Sequence, residues 1–178
     1  MVCESPQNGQ YDPNIHHRRS VRLYGYDYSQ CGAYFVTICV NNRKWLFGDI
    51  VDGNMQLNEI GVMVKHVWEC LPQQYPYVSI NEFVVMPNHF HGVLMIADDL
   101  DRLNRERFKP HARKSVGRLV GMFKMVTTKG FNETRRTSGE KIWQRNYYEH
   151  IIRDEDDYLR IFWYIKTNPS NWRNDKLM

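Results

Sequence analysis

A chain of 178 residues with 42% hydrophobic and 13% aromatic side chains suits one folded domain and excludes a disordered or low-complexity protein. No apolar run approaches the ~20 residues that cross a bilayer, and no signal-like stretch opens the chain, so a soluble, cytoplasmic protein without a membrane partner is expected. The net charge of +4 conceals an asymmetry: residues 101–141 carry 12 Lys/Arg against 4 Asp/Glu, which leaves −4 on the remainder. Such a basic segment is either a phosphate-facing surface or a solvated helix face. Cys3, Cys31, Cys39 and Cys70 form no C-x-x-C pair, which argues for reduced thiols rather than a zinc knuckle or a disulfide framework.

Residues 1–30 are rich in Pro, Gly, Asn and Gln and contain the cations Arg18, Arg19 and Arg22, followed by Tyr24, Tyr26 and Tyr28. This reads as an N-terminal arm in front of a domain spanning 31–178. Cations among aromatics suit single-stranded nucleic acid, and an arm packing its tyrosines on the body fits the same residues. Residues 34–40, Tyr-Phe-Val-Thr-Ile-Cys-Val, are β-rich and bounded by Gly32 and Asn41, predicting a strand. A small hairpin is expected over 46–57, turning at Asp52-Gly53-Asn54. Asn58 is placed to cap a helix running to about Gln73, with Ile60, Val64, Val67, Trp68 and Leu71 as its apolar stripe.

Two strands, about 78–86 and 89–96, are predicted around the corner Pro87-Asn88. The second opens on His89-Phe90-His91. Strand side chains alternate between faces, so His89 and His91 point the same way, roughly 7 Å apart at the backbone, and Phe90 points into the core. Two imidazoles at that spacing supply half of a metal site, or they are simply two half-exposed histidines.

A basic amphipathic helix follows at 115–131, with Val116, Leu119, Val120, Phe123 and Val126 on one stripe and Arg118 and Lys124 off it. Residues 143–152 read as a further strand. Asp154 then caps a helix with an acidic first turn, reaching about Asn168 before Pro169. The order βαββαβ with an added C-terminal helix is the antiparallel, ferredoxin-like α+β pattern, in which the His pair occupies a central strand. On the terminal helix Tyr164 and Asn168 share a face, roughly a quarter turn from the stripe of Tyr158, Ile161, Phe162 and Ile165. They are thereby placed to offer a hydroxyl and an amide oxygen toward the histidines, or else to be a packing ring and a helix terminator before proline.

Three stretches resemble one family. They are Val-Met-Pro-Asn-His-Phe-His-Gly-Val-Leu (85–94), Trp-Gln-Arg-Asn-Tyr-Tyr-Glu-His-Ile-Ile-Arg-Asp-Glu (143–155) and Tyr-Ile-Lys-Thr-Asn-Pro (164–169). Together they are similar to the single-tyrosine HUH transposases, and among these to the REP-associated tyrosine transposases, over residues 18–172. The resemblance implies that His89 and His91 are metal ligands, Tyr164 the nucleophile and Asn168 the third ligand. Asn followed by Pro is typical of the REP-associated branch, where insertion-sequence members often carry Gln. Few residues follow Pro169, so the longer C-terminal tail of some members is not expected.

The activity so implied is transesterification of single-stranded DNA beside an imperfect hairpin, through a 5′-phosphotyrosine, with Mg²⁺ or Mn²⁺ as cofactor. The protein acts as a monomer or a homodimer, the insertion-sequence relatives exchanging tyrosine helices across a dimer. The absence of a G-x-x-x-x-G-K-[ST] loop agrees with a reaction that needs no ATP. Arg18, Arg19, Arg22, Arg113, Lys114, Arg118 and Lys124 are the expected DNA contacts. No general base is evident: His150 is expected to be a packed or surface imidazole, and Asp157, seven residues before Tyr164, lies roughly 10 Å from it along the helix. The alternatives are a metal-dependent nuclease using activated water, and a non-catalytic DNA-binding domain of the same fold.

Overall fold

The computed structural model describes residues 25–97, 114–175 and 177–178. It contains β1 (Gly32–Cys39), β2 (Gly48–Val51), β3 (Asn54–Leu57), α1 (Glu59–Glu69), α2 (Leu71–Gln74), β4 (Val78–Met86), β5 (His89–Ile96), α3 (Val116–Arg135), β6 (Tyr148–Ile152) and α4 (Glu155–Thr167). Four strands form one antiparallel sheet in the order β4-β5-β1-β6, and β2-β3 make a separate hairpin. The first and third major strands are therefore central, as the ferredoxin-like pattern requires. No helix among the described residues is long and apolar enough to cross a membrane.

The two faces of the sheet are unequal. Tyr34, Val36 and Ile38 of β1 with Phe90 and Leu94 of β5 face α1 and α3, where they meet Val64, Trp68, Leu119 and Phe123 in the main core. Phe35 and Val93, one residue out of phase, face the other way and pack on Ile161 and Ile165 of α4. Burying those two isoleucines contributes roughly 3–6 kcal/mol to docking the helix. The Lys166–Glu82 ion pair at 2.9 Å adds a tie between α4 and β4.

Local signals explain the element ends. Asn58 caps α1 by accepting from the Gly61 N–H, and Asp154 caps α4 by accepting from the Asp157 N–H. The helix expected to reach Gln73 breaks at Cys70, and Pro72 opens the short α2.

Two further details depart from expectation. The strand predicted over 143–152 is confined to Tyr148–Ile152, with a single bridge between Trp143 and Val40. The stretch between is held otherwise: the Lys124 ammonium donates to the carbonyls of Gln144, Arg145 and Asn146 at 2.8, 3.4 and 3.1 Å, and the Trp143 indole donates to Thr127 Oγ1 at 2.8 Å. On α3 the stripe passes through buried Thr127 rather than Val126, because the threonine hydroxyl is satisfied by the Phe123 carbonyl and the indole. Of the expected arm, Tyr26 and Tyr28 fall within the described residues; Tyr28 is buried in the main core and its carbonyl accepts from the Val116 N–H at 3.0 Å.

Candidate metal and nucleophile site

The corner Pro87-Asn88 fixes where β5 begins. The Asn88 carbonyl accepts from the Val40 N–H at 2.8 Å, and the Pro87 carbonyl accepts from the Leu46 and Phe47 N–H groups. His89 thus opens the strand opposite Cys39, and His91 lies opposite Thr37, both on the face that α4 covers. Their rings lie 4.5 Å apart, centroid to centroid, and both residues are buried. Gly92 behind them has no side chain for a packing reason: a Cβ there would come within 2.8 Å of Trp68 Cζ2 and of the Phe90 ring.

Each imidazole is oriented through its Nδ1. Asn88 Nδ2 donates to the Leu177 carbonyl at 2.8 Å, which turns Asn88 Oδ1 toward His89 Nδ1 at 2.7 Å. Nδ1 of His89 therefore carries the proton, and Nε2 presents a lone pair. His91 Nδ1 lies 2.8 Å from Thr37 Oγ1, and its ring stacks on Phe35 at 5.5 Å. With Nδ1 of His91 donating to the threonine, Nε2 accepts from the Tyr164 hydroxyl at 3.2 Å.

Tyr164 comes from the last full turn of α4. Its ring is edge-on to Phe35 at 6.1 Å and 43% of the residue is exposed, so the nucleophile candidate faces the solvent boundary of the site. Asn168 is the C-cap residue of the same helix and is buried at 4% exposure. Its Oδ1 has no hydrogen-bond partner, although the amide lies close enough to bear electrostatically on both His89 and Tyr164.

Asp175 completes the cluster. It follows a 3-10 turn, Trp172–Asn174, that buries Trp172 against the His89 ring at 5.9 Å. Its Oδ2 lies 3.7 Å from His89 Nε2, too far for a hydrogen bond. One ligand atom each from His89, His91 and Asp175 all lie within 4.8 Å of one another.

The electrostatics favour neutral imidazoles. Burial drives His89 down to about 4, against the opposing pull of the Asp175 carboxylate and the Asn168 amide. Burial, with His89 as a lesser cause, takes His91 well below its ordinary value. Burial and the Asp175 charge raise the Tyr164 phenol, the Asn168 amide acting in the opposite sense. The phenol is accordingly protonated at neutral pH; His89 Nε2 is free to act as a ligand, and His91 Nε2 becomes one when the Tyr164 hydroxyl gives up its hydrogen bond.

These donors fit a divalent ion. His89 Nε2, Asn168 Oδ1 and Asp175 Oδ2 are buried and without hydrogen-bond partners, an unusual concentration of orphaned atoms. Donors bound to one ion at about 2.1 Å lie roughly 3–4 Å apart, and His89 Nε2 and Asp175 Oδ2 are separated by 3.7 Å. Two imidazoles with amide and carboxylate oxygens form a mixed set that Mg²⁺ or Mn²⁺ accepts.

The other expected residues are scattered. Arg18, Arg19, Arg22 and Arg113 lie outside the described residues. Lys114 Nζ sits over the Tyr75 ring at 5.3 Å, and Arg118 is exposed on α3. Lys124 spends its ammonium on the three carbonyls of the 144–146 segment, and burial pushes it down to about 8. Nearby, a groove of about 490 Å³ is lined by Lys124, Lys129, Lys141, Arg145 and Trp143 among others. His150 Nε2 is 2.7 Å from Asp157 Oδ2, and Arg160 pairs with the same carboxylate, so these residues form a cluster of their own. Sequence reading missed Asp175, which no periodicity marks, and treated Asn88 only as a turn residue.

No family model matches the chain. A Haemophilus influenzae protein described only as uncharacterized is 43% identical over 173 residues, covering 94% of this chain and 96% of that protein. At that identity over nearly the whole of both, the two belong to one family. A second H. influenzae protein, provisionally named a REP-associated tyrosine transposase, is 26% identical over 82% of this chain and 74% of its own. The REP-associated tyrosine transposase of Escherichia coli K12 is 25% identical, over 80% of this chain and 68% of its own. Among solved structures, a REP-associated tyrosine transposase bound to a REP hairpin matches with a TM-score of 0.53 and 24% identity, over 87% of this chain and 74% of that one. The named relatives are thus tyrosine transposases, and the fold is theirs.

Proposed function

We propose that this chain is a REP-associated tyrosine transposase of the HUH class, a metal-dependent enzyme that nicks and rejoins single-stranded DNA beside a hairpin. The observation that carries the reading is the 3.2 Å approach of the Tyr164 hydroxyl to His91 Nε2, beside buried ligand atoms that lack partners. The named relatives, and the hairpin held by the solved one, support the substrate class.

His89, His91 and Asn168 hold the ion in this reading. A divalent ion bound there supplies Lewis acidity and a template for the scissile phosphate. Tyr164 Oη gives up its proton and attacks phosphorus in line, the P–O3′ bond breaks, and the departing 3′ oxygen takes up a proton, so that one proton passes in net from the phenol to the new 3′-hydroxyl. The products are a 5′-phosphotyrosine and a free 3′-hydroxyl, and a second 3′-hydroxyl reverses the step to join strands. Phe35 and His91 hold the tyrosine ring, while Thr37 and Asn88 hold the histidines. The basic residues Arg18, Arg19, Arg22, Arg113, Lys114 and Arg118, with the groove beside Lys124, supply the DNA-facing cations.

Labelled hairpin-bearing single-stranded DNA incubated with the protein and Mn²⁺, then denatured, tests this. A DNA–protein adduct that disappears in Tyr164→Phe supports the proposal. Undiminished cleavage by the mutant overturns it in favour of water as nucleophile, and salt-sensitive binding with neither cleavage nor adduct favours a non-catalytic domain.

A further inference from the structure

We propose that Asp175 is a protein ligand of the metal site, a carboxylate delivered by the segment that follows α4. This rests on the reading above that an ion sits between His89, His91 and Asn168. No motif around the histidines or the tyrosine requires an acid at this point.

The segment is built into the site rather than lying loosely beside it. The Asn171 N–H donates to the Thr167 carbonyl at 3.0 Å, continuing the chain direction out of α4. Trp172 is then buried between His89 and Trp45, the Trp45 ring lying 5.6 Å away. The Asp175 N–H donates to the Trp172 carbonyl at 3.0 Å. Two residues later the Leu177 carbonyl accepts from Asn88 Nδ2, the amide whose other end orients His89. One asparagine thus fixes both the histidine and the segment carrying the acid.

The two carboxylate oxygens of Asp175 have different fates. Oδ1 accepts from the Leu177 N–H at 2.7 Å, which fixes the plane of the group. Oδ2 is directed at His89 Nε2 and has no hydrogen-bond partner, although the side chain is only 6% exposed. Among the described residues no lysine or arginine pairs with it. His89 does not answer the carboxylate with a proton, because Nδ1 carries it for Asn88 and Nε2 presents a lone pair. Two acceptor atoms facing each other at 3.7 Å, in a buried place, are brought together by a shared cation.

Ligand chemistry points the same way. Two imidazoles and one amide carry no formal charge, whereas Mg²⁺ and Mn²⁺ favour anionic oxygen. One carboxylate leaves a bound divalent ion with a net charge of about +1, matched to the single charge of a phosphodiester.

The test uses Mn²⁺ alone as the probe, titrated into the full chain and followed by the electron paramagnetic resonance signal of the free ion. Wild type binds one ion and His89→Ala does not. Asp175→Ala and Asp175→Asn each weaken binding by about tenfold or more, equivalent to about 1.4 kcal/mol. Asp175→Asn keeps an acceptor for the Leu177 N–H, so it separates ligation from folding; equal melting temperatures without metal verify that. Wild-type affinity in both Asp175 variants overturns the inference and leaves the histidine site standing. Failure of wild type to bind Mn²⁺ overturns both.

Discussion

Asn88→Ala offers a demanding test of how the site is held. Asn88 is fully buried, and its amide bridges His89 Nδ1 at 2.7 Å and the Leu177 carbonyl at 2.8 Å. Truncation strands two groups: the imidazole N–H, which is buried and has nowhere to turn, and a carbonyl on a half-buried residue that can turn to water. At about 1–3 kcal/mol for a stranded buried group, the first loss dominates and the total is about 2–3 kcal/mol. For a chain of this size that lowers the melting temperature by roughly 5–10 °C. The larger effect falls on the ion, since removing the group that fixes a ligand's tautomer costs about 10–100-fold in metal affinity. Thermal melting and Mn²⁺ titration read the two effects separately. A variant that melts lower yet binds Mn²⁺ within about twofold of wild type refutes the orienting role of Asn88.

Other expectations follow from packing and charge. Gly92→Ala forces a methyl against Trp68 and Phe90 at 2.8 Å and destabilises the domain by about 1–3 kcal/mol, measured by chemical unfolding. Lys124→Met leaves three carbonyls without their donor and lowers stability by about 1–2 kcal/mol; if DNA contact were the residue's main role, melting would stay unchanged and the salt slope of DNA binding would drop by about 1. For Asp157, burial alone raises the carboxyl, but the hydrogen bonds from His150 and Arg160 outweigh it and hold the group below its ordinary 3.8. A depressed carboxyl contributes stability in full above the ordinary range and loses it as pH falls through the lower folded value. Asp157→Asn therefore melts below wild type at neutral pH, and the difference closes as pH falls below the ordinary carboxylate value; a gap that stays constant as the medium is acidified contradicts the assignment.

Much of this architecture is legible in the chain because its signals are local. Alternation along 89–96 sends Phe90 inward and both histidines to the opposite face, as found. Asn58 and Asp154 announce helix starts in their own side chains. The four-residue spacing of Tyr164 and Asn168 puts both on the flank of α4 that meets the histidines. What local pattern cannot carry is a partnership across the fold. Lys124 looks like any cation on a basic helix until the 144–146 carbonyls fold over it, and the same contact stops β6 from extending back to Trp143. Asp175 sits in an irregular segment where no period operates, so its relation to His89 exists only in three dimensions.

The order in which these parts are made has its own consequence. The two histidines are synthesised more than seventy residues before Tyr164, and Asn168 and Asp175 come later still. The last strand of the sheet ends at Ile152, so the hydroxyl and the two oxygen donors all follow the sheet in the chain. A chain that stops between β6 and α4 would thus carry every strand of the sheet and both histidines, yet lack Tyr164, Asn168 and Asp175 together.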